Sequence, residues 1–175
     1  RRQRQMCIRD RCGCYVPATE FVYSPYTQIF TRILNNDKLW SGLSSFAVEC
    51  KEISHILNNA NSNSFVIGDE IFSSTESDSA ISLVSGVIQI LHKTDCSFIF
   101  ATHFHELMEL NDIKSLINNN LKIYHLSVRI DKNVLYFDRI LKEGNGPTDY
   151  GIIVGKSLGL PCLLYTSPSP RDDEL

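Results

Sequence analysis

Two adjacent carboxylates, Asp69 and Glu70, follow directly after the short apolar run of residues 65–68. A β-branched run without polar alternation predicts a strand that is buried on both faces, as in a parallel sheet. Open α/β sheets bind their ligands at the carboxyl ends of such strands. One carboxylate there can hold Mg²⁺, and the next can orient or deprotonate a water that attacks a γ-phosphate. The pattern predicts a Walker B strand followed by a catalytic glutamate.

A histidine lies at the matching place after the next apolar run. Residues 79–92 carry apolar side chains at helical spacing, and residues 97–101 form a second apolar run that ends in polar residues including His103. Strand, helix and strand in this order form one βαβ unit, which places His103 beside the acidic pair. A histidine there can form a hydrogen bond to a γ-phosphate or to its attacking water. An acidic pair alone more often marks a solvated strand end, but the added histidine favours a nucleotide site.

Two longer segments carry a family resemblance. FVIGDEIFSSTES at residues 65–77 and FATHFHEL at residues 100–107 resemble the ATPase domain of MutS-type mismatch-repair proteins, members of the ABC ATPase superfamily. The TES-x-SA-x-S pattern at residues 75–82 is similar to the branch found in giant viruses and coral mitochondria. The resemblance extends from about Cys12 to Leu160. It implies an α/β P-loop NTPase fold of the ABC ATPase type, with a parallel-sheet core and flanking helices, incomplete at both ends.

The resemblance also implies roles for the residues at the strand ends. ATP would lie between two subunits, with Asp69 on Mg²⁺, Glu70 on the attacking water and His103 near the γ-phosphate. The intact protein would use ATP hydrolysis to change its grip on mismatched double-stranded DNA, which it would bind through domains absent here. Its partners would be that DNA and a second MutS-like subunit, with no membrane.

A small-residue segment, SGLSSF at residues 41–46, precedes a predicted helix. Considered locally, it is an ordinary capped helix with Ser44 as the N-cap, although such a segment can also present N–H groups to a phosphate. The segment aligns with the signature of the family. On that alignment Gly42, Ser44 and Ser45 contact ATP held by the opposite subunit.

The segment after the acidic pair departs from the family pattern. Residues 73–79 align with the loop that joins the two ATP sites across the dimer. Phe72, Ser74 and Ala80 stand at glycine positions of the family, and Ser79 stands at the usual aspartate position. The coupling role of this loop therefore stays open.

The phosphate-binding pattern G-x-x-x-x-G-K-[ST] does not occur in the sequence. The triplet Gly155-Lys156-Ser157 lacks the first glycine at the required spacing, and we expect it to belong to a helix over residues 150–160. In the family the loop would precede Cys12.

Both ends of the chain are predicted to be foreign. Residues 1–10 and 162–172 can each be back-translated into a widely used transposase-based sequencing adapter. We therefore expect adapter translation over residues 1–11, a partial ATPase domain over residues 12–160, and adapter translation over residues 161–175.

The charge of the chain depends on these ends. The whole sequence has 17 basic and 20 acidic side chains, a net charge of −3. Residues 1–11 hold five arginines and one aspartate, and residues 161–175 hold one arginine, two aspartates and one glutamate. The remainder has 11 basic and 16 acidic side chains, a charge of −5. An acidic segment without basic clusters is a poor surface for direct DNA binding.

The composition fits one domain with a core, since 43% of the 175 residues are hydrophobic. No apolar run approaches membrane-spanning length. The interior cysteines lack the clustered pairs of a zinc site, which favours a thiol-reduced, intracellular protein.

Several further elements are predicted around the site. We expect a strand over residues 28–33, a helix that follows the N-cap Ser44 and runs through Leu57, and a helical segment over residues 104–110. Residues 122–130 and 134–141 are expected to be two strands joined by a hairpin turn. The predicted buried face of the helix comprises Phe46, Val48, Ile53, Ile56 and Leu57.

Two alternative functions remain open at this point. The first is an ABC-type ATPase of a recombination or chromosome-structural protein. Those families usually place their signature immediately before Walker B, which is not the case for SGLSSF. The second is a catalytically inactive interaction module. The intact acidic pair and His103 count against it, whereas the altered residues 73–80 count for it.

Overall fold

The structure is a computed structural model that describes residues 19–20, 22, 24–33, 45–131, 134–146, 154–155 and 158–159. The chain divides into two compact units, Arg1–Ser115 and Leu116–Leu175. No described helix has the length and apolar character that crossing a membrane requires.

A three-stranded parallel sheet forms the centre of the first unit. The strands are β1 (Gln28–Arg32), β2 (Ser64–Asp69) and β3 (Ser97–Ala101), in the spatial order β1-β2-β3. Helices α1 (Ser45–Asn59) and α2 (Ser77–Lys93) lie in the two connections between the strands. The unit is therefore of the α/β class, with helices accompanying a parallel sheet.

The central strand β2 follows from its composition. Its first five residues, Ser64 to Gly68, are all buried, as expected for an apolar run enclosed on both faces. Strand β3 has the predicted bounds, and β1 ends one residue before the predicted Ile33. The order of strand, helix and strand from β2 to β3 confirms the predicted βαβ unit.

Helix α2 packs with a regular apolar stripe. Its buried side chains are spaced as one face of a helix requires, and they include Ala80, Val84, Val87, Ile88 and Leu91. The helix begins at Ser77, two residues earlier than expected.

Helix α1 buries a different set of residues from the predicted one. Ile53 and Ile56 are buried as expected, but the third buried residue is Glu49. Phe46, Val48 and Leu57 are only half-buried. The spacing of Glu49, Ile53 and Ile56 defines one helical face, so the carboxylate occupies a core position of the stripe.

Gly68 of β2 is needed because the sheet packs tightly there. A Cβ atom added at this position would lie 2.6 Å from Cδ1 of Phe100 on β3 and 3.1 Å from Cγ2 of Ile71. The Phe100 ring also lies against Phe98, with 5.1 Å between ring centroids.

The segment after β3 differs from the single predicted helix. A 3-10 helix spans His105–Glu109, and a separate helix α3 spans Asn111–Ile117. Leu110 between them has extended backbone angles, which ends the first helix before the second begins.

The described residues of the second unit form four short strands where two were predicted. Strand β4 (Tyr124–Leu126) pairs with β7 (Leu141–Glu143), and β5 (Arg129–Asp131) pairs with β6 (Val134–Tyr136), both antiparallel. The hairpin of β5 and β6 is confirmed, but the prediction of two continuous strands is wrong. Arg139 has a φ of 56°, a left-handed conformation that does not fit a continuous strand.

Only part of the predicted helix over residues 150–160 is described. Val154 and Gly155 are helical, and the Leu158 N–H donates to the Val154 carbonyl at 3.0 Å. Lys156 and Ser157 lie outside the described residues.

Candidate active site

The carboxyl ends of β2 and β3 bring the predicted site residues to one edge of the sheet. Asp69 pairs in register with Ala101, and the Glu70 N–H donates to the Ala101 carbonyl at 2.8 Å. The backbone pairing therefore continues one residue beyond β2. It places Glu70 level with the residues that leave β3.

Glu70 and His103 meet at this edge. His103 Nδ1 lies 3.9 Å from Glu70 Oε1, and the two side chains are 59% and 51% exposed. A carboxylate and an imidazole at this distance can contact the same small group, and their exposure leaves them accessible to a dissolved ligand. The structure thus confirms that Glu70 and His103 lie together.

The turn after β3 orients His103. Thr102 Oγ1 accepts a hydrogen bond from the Phe104 N–H at 3.1 Å, which closes a local turn around His103. The His103 ring also lies against the Phe104 ring, with 4.5 Å between centroids. Phe104 is buried, so it anchors the turn in the core.

The backbone from Glu70 to Phe72 adopts an unfavourable conformation. Glu70 has a φ of 51° and Phe72 a φ of 60°, and both are non-glycine residues in the left-handed region. Such a conformation costs about 1–2 kcal/mol per residue, so surrounding contacts must hold it.

Glu49 supplies contacts to this segment. Its Oε1 accepts a hydrogen bond from the Phe72 N–H at 2.8 Å, and its Oε2 accepts one from the Ser74 hydroxyl at 3.0 Å. Arg32 Nη2 lies 3.5 Å from Oε1 and faces the same carboxylate. Glu49 was not among the residues predicted from the sequence. The available signal was a carboxylate at a core position of an otherwise apolar helical stripe.

The family model for MutS domain V matches residues 1–168. This match covers most of the chain and decides the family. The chain belongs to the MutS family.

Relatives of this MutS-family chain occur in viruses, mitochondria and bacteria. It is 42% identical over 156 residues to a putative DNA mismatch repair protein mutS homolog of Acanthamoeba polyphaga mimivirus, covering 86% of the chain and 14% of the relative. It is 40% identical over 148 residues to a mitochondrial DNA mismatch repair protein mutS homolog of Sarcophyton glaucum. This match covers 84% of the chain and 14% of the relative. It is 40% identical over 157 residues to the DNA mismatch repair protein MutS of Clostridium botulinum. This match covers 88% of the chain and 16% of the relative.

These matches confirm the family resemblance, and they include a giant virus and a mitochondrial relative. The chain spans only 14–16% of the length of these curated relatives. The predicted foreign origin of residues 1–11 and 161–175 stays a prediction, because these residues lie outside the described part of the chain.

The four residues predicted to depart from the family pattern each have a structural role in this MutS-family chain. Phe72 and Ala80 are buried in the core, 3% and 0% exposed. The Ser74 hydroxyl donates to Glu49, and the Ser79 hydroxyl donates to Glu76 Oε1 at 2.6 Å. The segment is therefore packed and hydrogen-bonded in its altered form.

Of the three residues predicted to form the family signature, the structure describes one. Ser45 is the first residue of α1 and is exposed, whereas Gly42 and Ser44 lie outside the described residues. The start of α1 at Ser45 agrees with an N-cap at Ser44, which itself stays a prediction.

Asp69 is the carboxylate at this edge that could share a Mg²⁺ ion with a bound nucleotide. Within the described ranges, no group of three or more histidine, cysteine, aspartate or glutamate side chains could hold a metal ion. Mg²⁺ in nucleotide sites is held by one or two carboxylates together with the substrate phosphates. Asp69, half-buried at the end of β2, fits that mode.

Cys96 lies away from the edge of the sheet that carries Glu70 and His103. Burial raises the pKa of the Cys96 thiol, and its Sγ lies 3.5 Å from the Ser64 carbonyl oxygen at the start of β2. A raised pKa keeps this cysteine protonated and unreactive at neutral pH, so we assign it a packing role.

Proposed function

We propose that this MutS-family chain is part of an ABC-type ATPase domain with a P-loop NTPase fold. In the intact protein the domain would couple ATP binding and hydrolysis to the recognition of mismatched DNA. The observation that supports this most directly is the juxtaposition of Glu70 and His103, 3.9 Å apart at neighbouring strand ends.

Each residue at this edge has a distinct task in the proposed reaction. Asp69 would hold Mg²⁺, which would neutralise charge on the phosphates. Glu70 orients the attacking water and accepts its proton as the water oxygen bonds to the γ-phosphorus, while the bond from that phosphorus to the bridging oxygen breaks and ADP leaves. His103 donates a hydrogen bond to a γ-phosphate oxygen or to the water.

A second subunit completes the proposed site. Gly42, Ser44 and Ser45 would contact ATP bound by the partner, and the partner's equivalent segment would contact ATP bound here. Mismatched double-stranded DNA would be bound by other parts of a longer protein. The acidic charge of this segment supports that assignment, since an acidic surface repels phosphates.

An inactive interaction module is the second candidate. The altered segment from Ser73 to Ala80 favours it, because this is where the family joins its two ATP sites. The packed, hydrogen-bonded form of that segment around Glu49 counts against loss of function. A recombination or chromosome-structural ATPase is disfavoured by the MutS domain V match.

The test is ATP hydrolysis by the full-length protein that carries this segment. We expect Mg²⁺-dependent turnover, and we expect its rate to differ between a duplex with one mismatch and the matched duplex of otherwise identical sequence. Absence of turnover would support the inactive module. Equal rates on both duplexes would contradict coupling to mismatch recognition.

A further inference from the structure

Glu49 is the most deeply buried carboxylate among the described residues, with 1% of its side chain exposed. A buried charge is unfavourable unless its oxygen atoms find donors. Both oxygens of Glu49 do so, and two of the donors belong to one short segment, the backbone of Phe72 and the side chain of Ser74. The carboxylate therefore ties helix α1 to the segment that follows Glu70.

That segment is weakly held by its own backbone. The Ser73 N–H donates to the Glu70 carbonyl at 3.2 Å, and the Thr75 N–H donates to the Phe72 carbonyl at 3.4 Å, both long hydrogen bonds. The positive φ angles at Glu70 and Phe72 oppose the conformation further. The bond from the Phe72 N–H to Glu49 is shorter, 2.8 Å, and helps to hold the turn together with the burial of Phe72.

We propose that Glu49 is a positioning residue for Glu70. Because it is buried, it would contact neither the nucleotide nor the attacking water, and it acts through the Phe72 N–H and the Ser74 hydroxyl on the turn that aims the Glu70 carboxylate. Helix α1 begins at Ser45, one of the residues assigned to the partner's ATP, so Glu49 also links Ser45 to the catalytic turn within one subunit. This inference rests on the proposed function.

A purely stabilising role predicts a different outcome from a positioning role. Glu49 and Glu52 both face Arg32, whose Nε lies 3.1 Å from Glu52 Oε2. Glu49→Gln removes the charge opposite Arg32, but its amide oxygen can still accept from Phe72, and its amide can donate to the Ser74 oxygen. Glu49→Ala removes the charge and both of these contacts. The two variants therefore separate stability from positioning.

The experiment uses the full-length protein with Glu49→Ala, Glu49→Gln and Glu52→Gln. We expect Glu49→Ala to lower kcat about 10- to 100-fold, as the loss of hydrogen bonds to a charged group predicts, with KM for ATP nearly unchanged. Glu49→Gln should recover most of kcat, although both Glu49 variants lower the melting temperature. Glu52→Gln, the matched control on the same helix and the same arginine, should keep wild-type kcat.

Hydrogen exchange provides a readout that needs no ATP. A peptide covering residues 70–76 should exchange faster in Glu49→Ala than in the wild type or Glu52→Gln. Equal exchange would overturn the tie between α1 and the turn, even in a protein without ATPase activity. Faster exchange together with an inactive wild type would instead contradict the proposed function and, with it, the catalytic effect of Glu49.

Two further outcomes bear on the proposal. Wild-type kcat in a folded Glu49→Ala protein would overturn it, as would a loss of kcat in Glu49→Gln as large as in Glu49→Ala. If Glu49→Ala does not fold, Ser74→Ala removes one of the two bonds from an exposed position. It should lower kcat about two- to tenfold, and an unchanged kcat would overturn the proposal.

Discussion

Glu70 and His103 come from different strands, and they meet because parallel neighbours end at the same edge. Their types and their places after apolar runs made this meeting predictable from the sequence. Chemistry at the edge needs acceptors and donors at fixed positions, and two neighbouring strands provide both. The turn through Thr102 and Phe104 then fixes the direction of the imidazole.

His103→Ala should slow hydrolysis by removing a hydrogen bond to a charged phosphate or to the water. Such a bond contributes about 1.5–3 kcal/mol, so we expect kcat to fall roughly 10- to 100-fold. Steady-state ATPase rates of the full-length protein measure this effect. His105→Ala is the matched control, since His105 is an exposed residue two positions further on. If both variants retain wild-type kcat, His103 takes no part in the reaction.

The burial of Glu49 could not be predicted from the sequence. Because carboxylates on helices usually face solvent, only hydrophobic residues were predicted to form the buried face of α1. The burial of Glu49 depends on donors from Arg32, Phe72 and Ser74, which are distant in sequence. Contacts with three residues that are distant in sequence produce no periodic pattern in the sequence of α1.

Elements with long, consistent apolar patterns were predicted well. Strands β2 and β3 and helix α2 match their predicted positions to within two residues, because burial on the sheet dictates both their composition and their length. The predicted strands over residues 122–141 failed for the opposite reason. The four strands there have three residues each, and the left-handed Arg139 interrupts them without a glycine to signal it.

Gly68→Ala should destabilise the sheet. The added methyl group would lie 2.6 Å from the rigid Phe100 ring, and overpacking of this kind costs about 1–3 kcal/mol. Urea unfolding of the 175-residue chain, followed by circular dichroism, measures the change in the free energy of unfolding.

Gly86→Ala on α2 is the matched control for this substitution. A Cβ atom at Gly86 meets nothing within 4 Å, and alanine is favoured over glycine inside a helix by about 1 kcal/mol. We therefore expect Gly86→Ala to stabilise the chain. Equal effects of the two substitutions would contradict the tight contact between β2 and Phe100.

As a whole, the chain is a small part of the proteins it resembles. It spans 14–16% of its curated relatives, and it contains no G-x-x-x-x-G-K-[ST] pattern. In the described part of the first unit, β1 and β3 each pair on one side only.

The 175-residue chain by itself should not bind ATP at micromolar concentration. Each charge-assisted contact to phosphate contributes roughly 1.5–3 kcal/mol, so the lack of a phosphate-binding loop weakens binding by orders of magnitude. The carboxylates at the edge repel an unshielded triphosphate. Isothermal calorimetry on soluble, monomeric chain measures this. A dissociation constant below about 10 μM would contradict the assignment of the site and direct attention to Gly155-Lys156-Ser157.

The most direct measurement is single-turnover hydrolysis of ATP by full-length protein with Glu70→Gln, together with its dissociation constant for ATP. Glutamine has nearly the same shape but cannot accept the proton of the attacking water. We predict hydrolysis slowed at least about 100-fold, the scale of a lost acid–base group, with ATP binding within a few-fold of wild type. Hydrolysis near the wild-type rate would contradict the catalytic role of Glu70 and the account built on it.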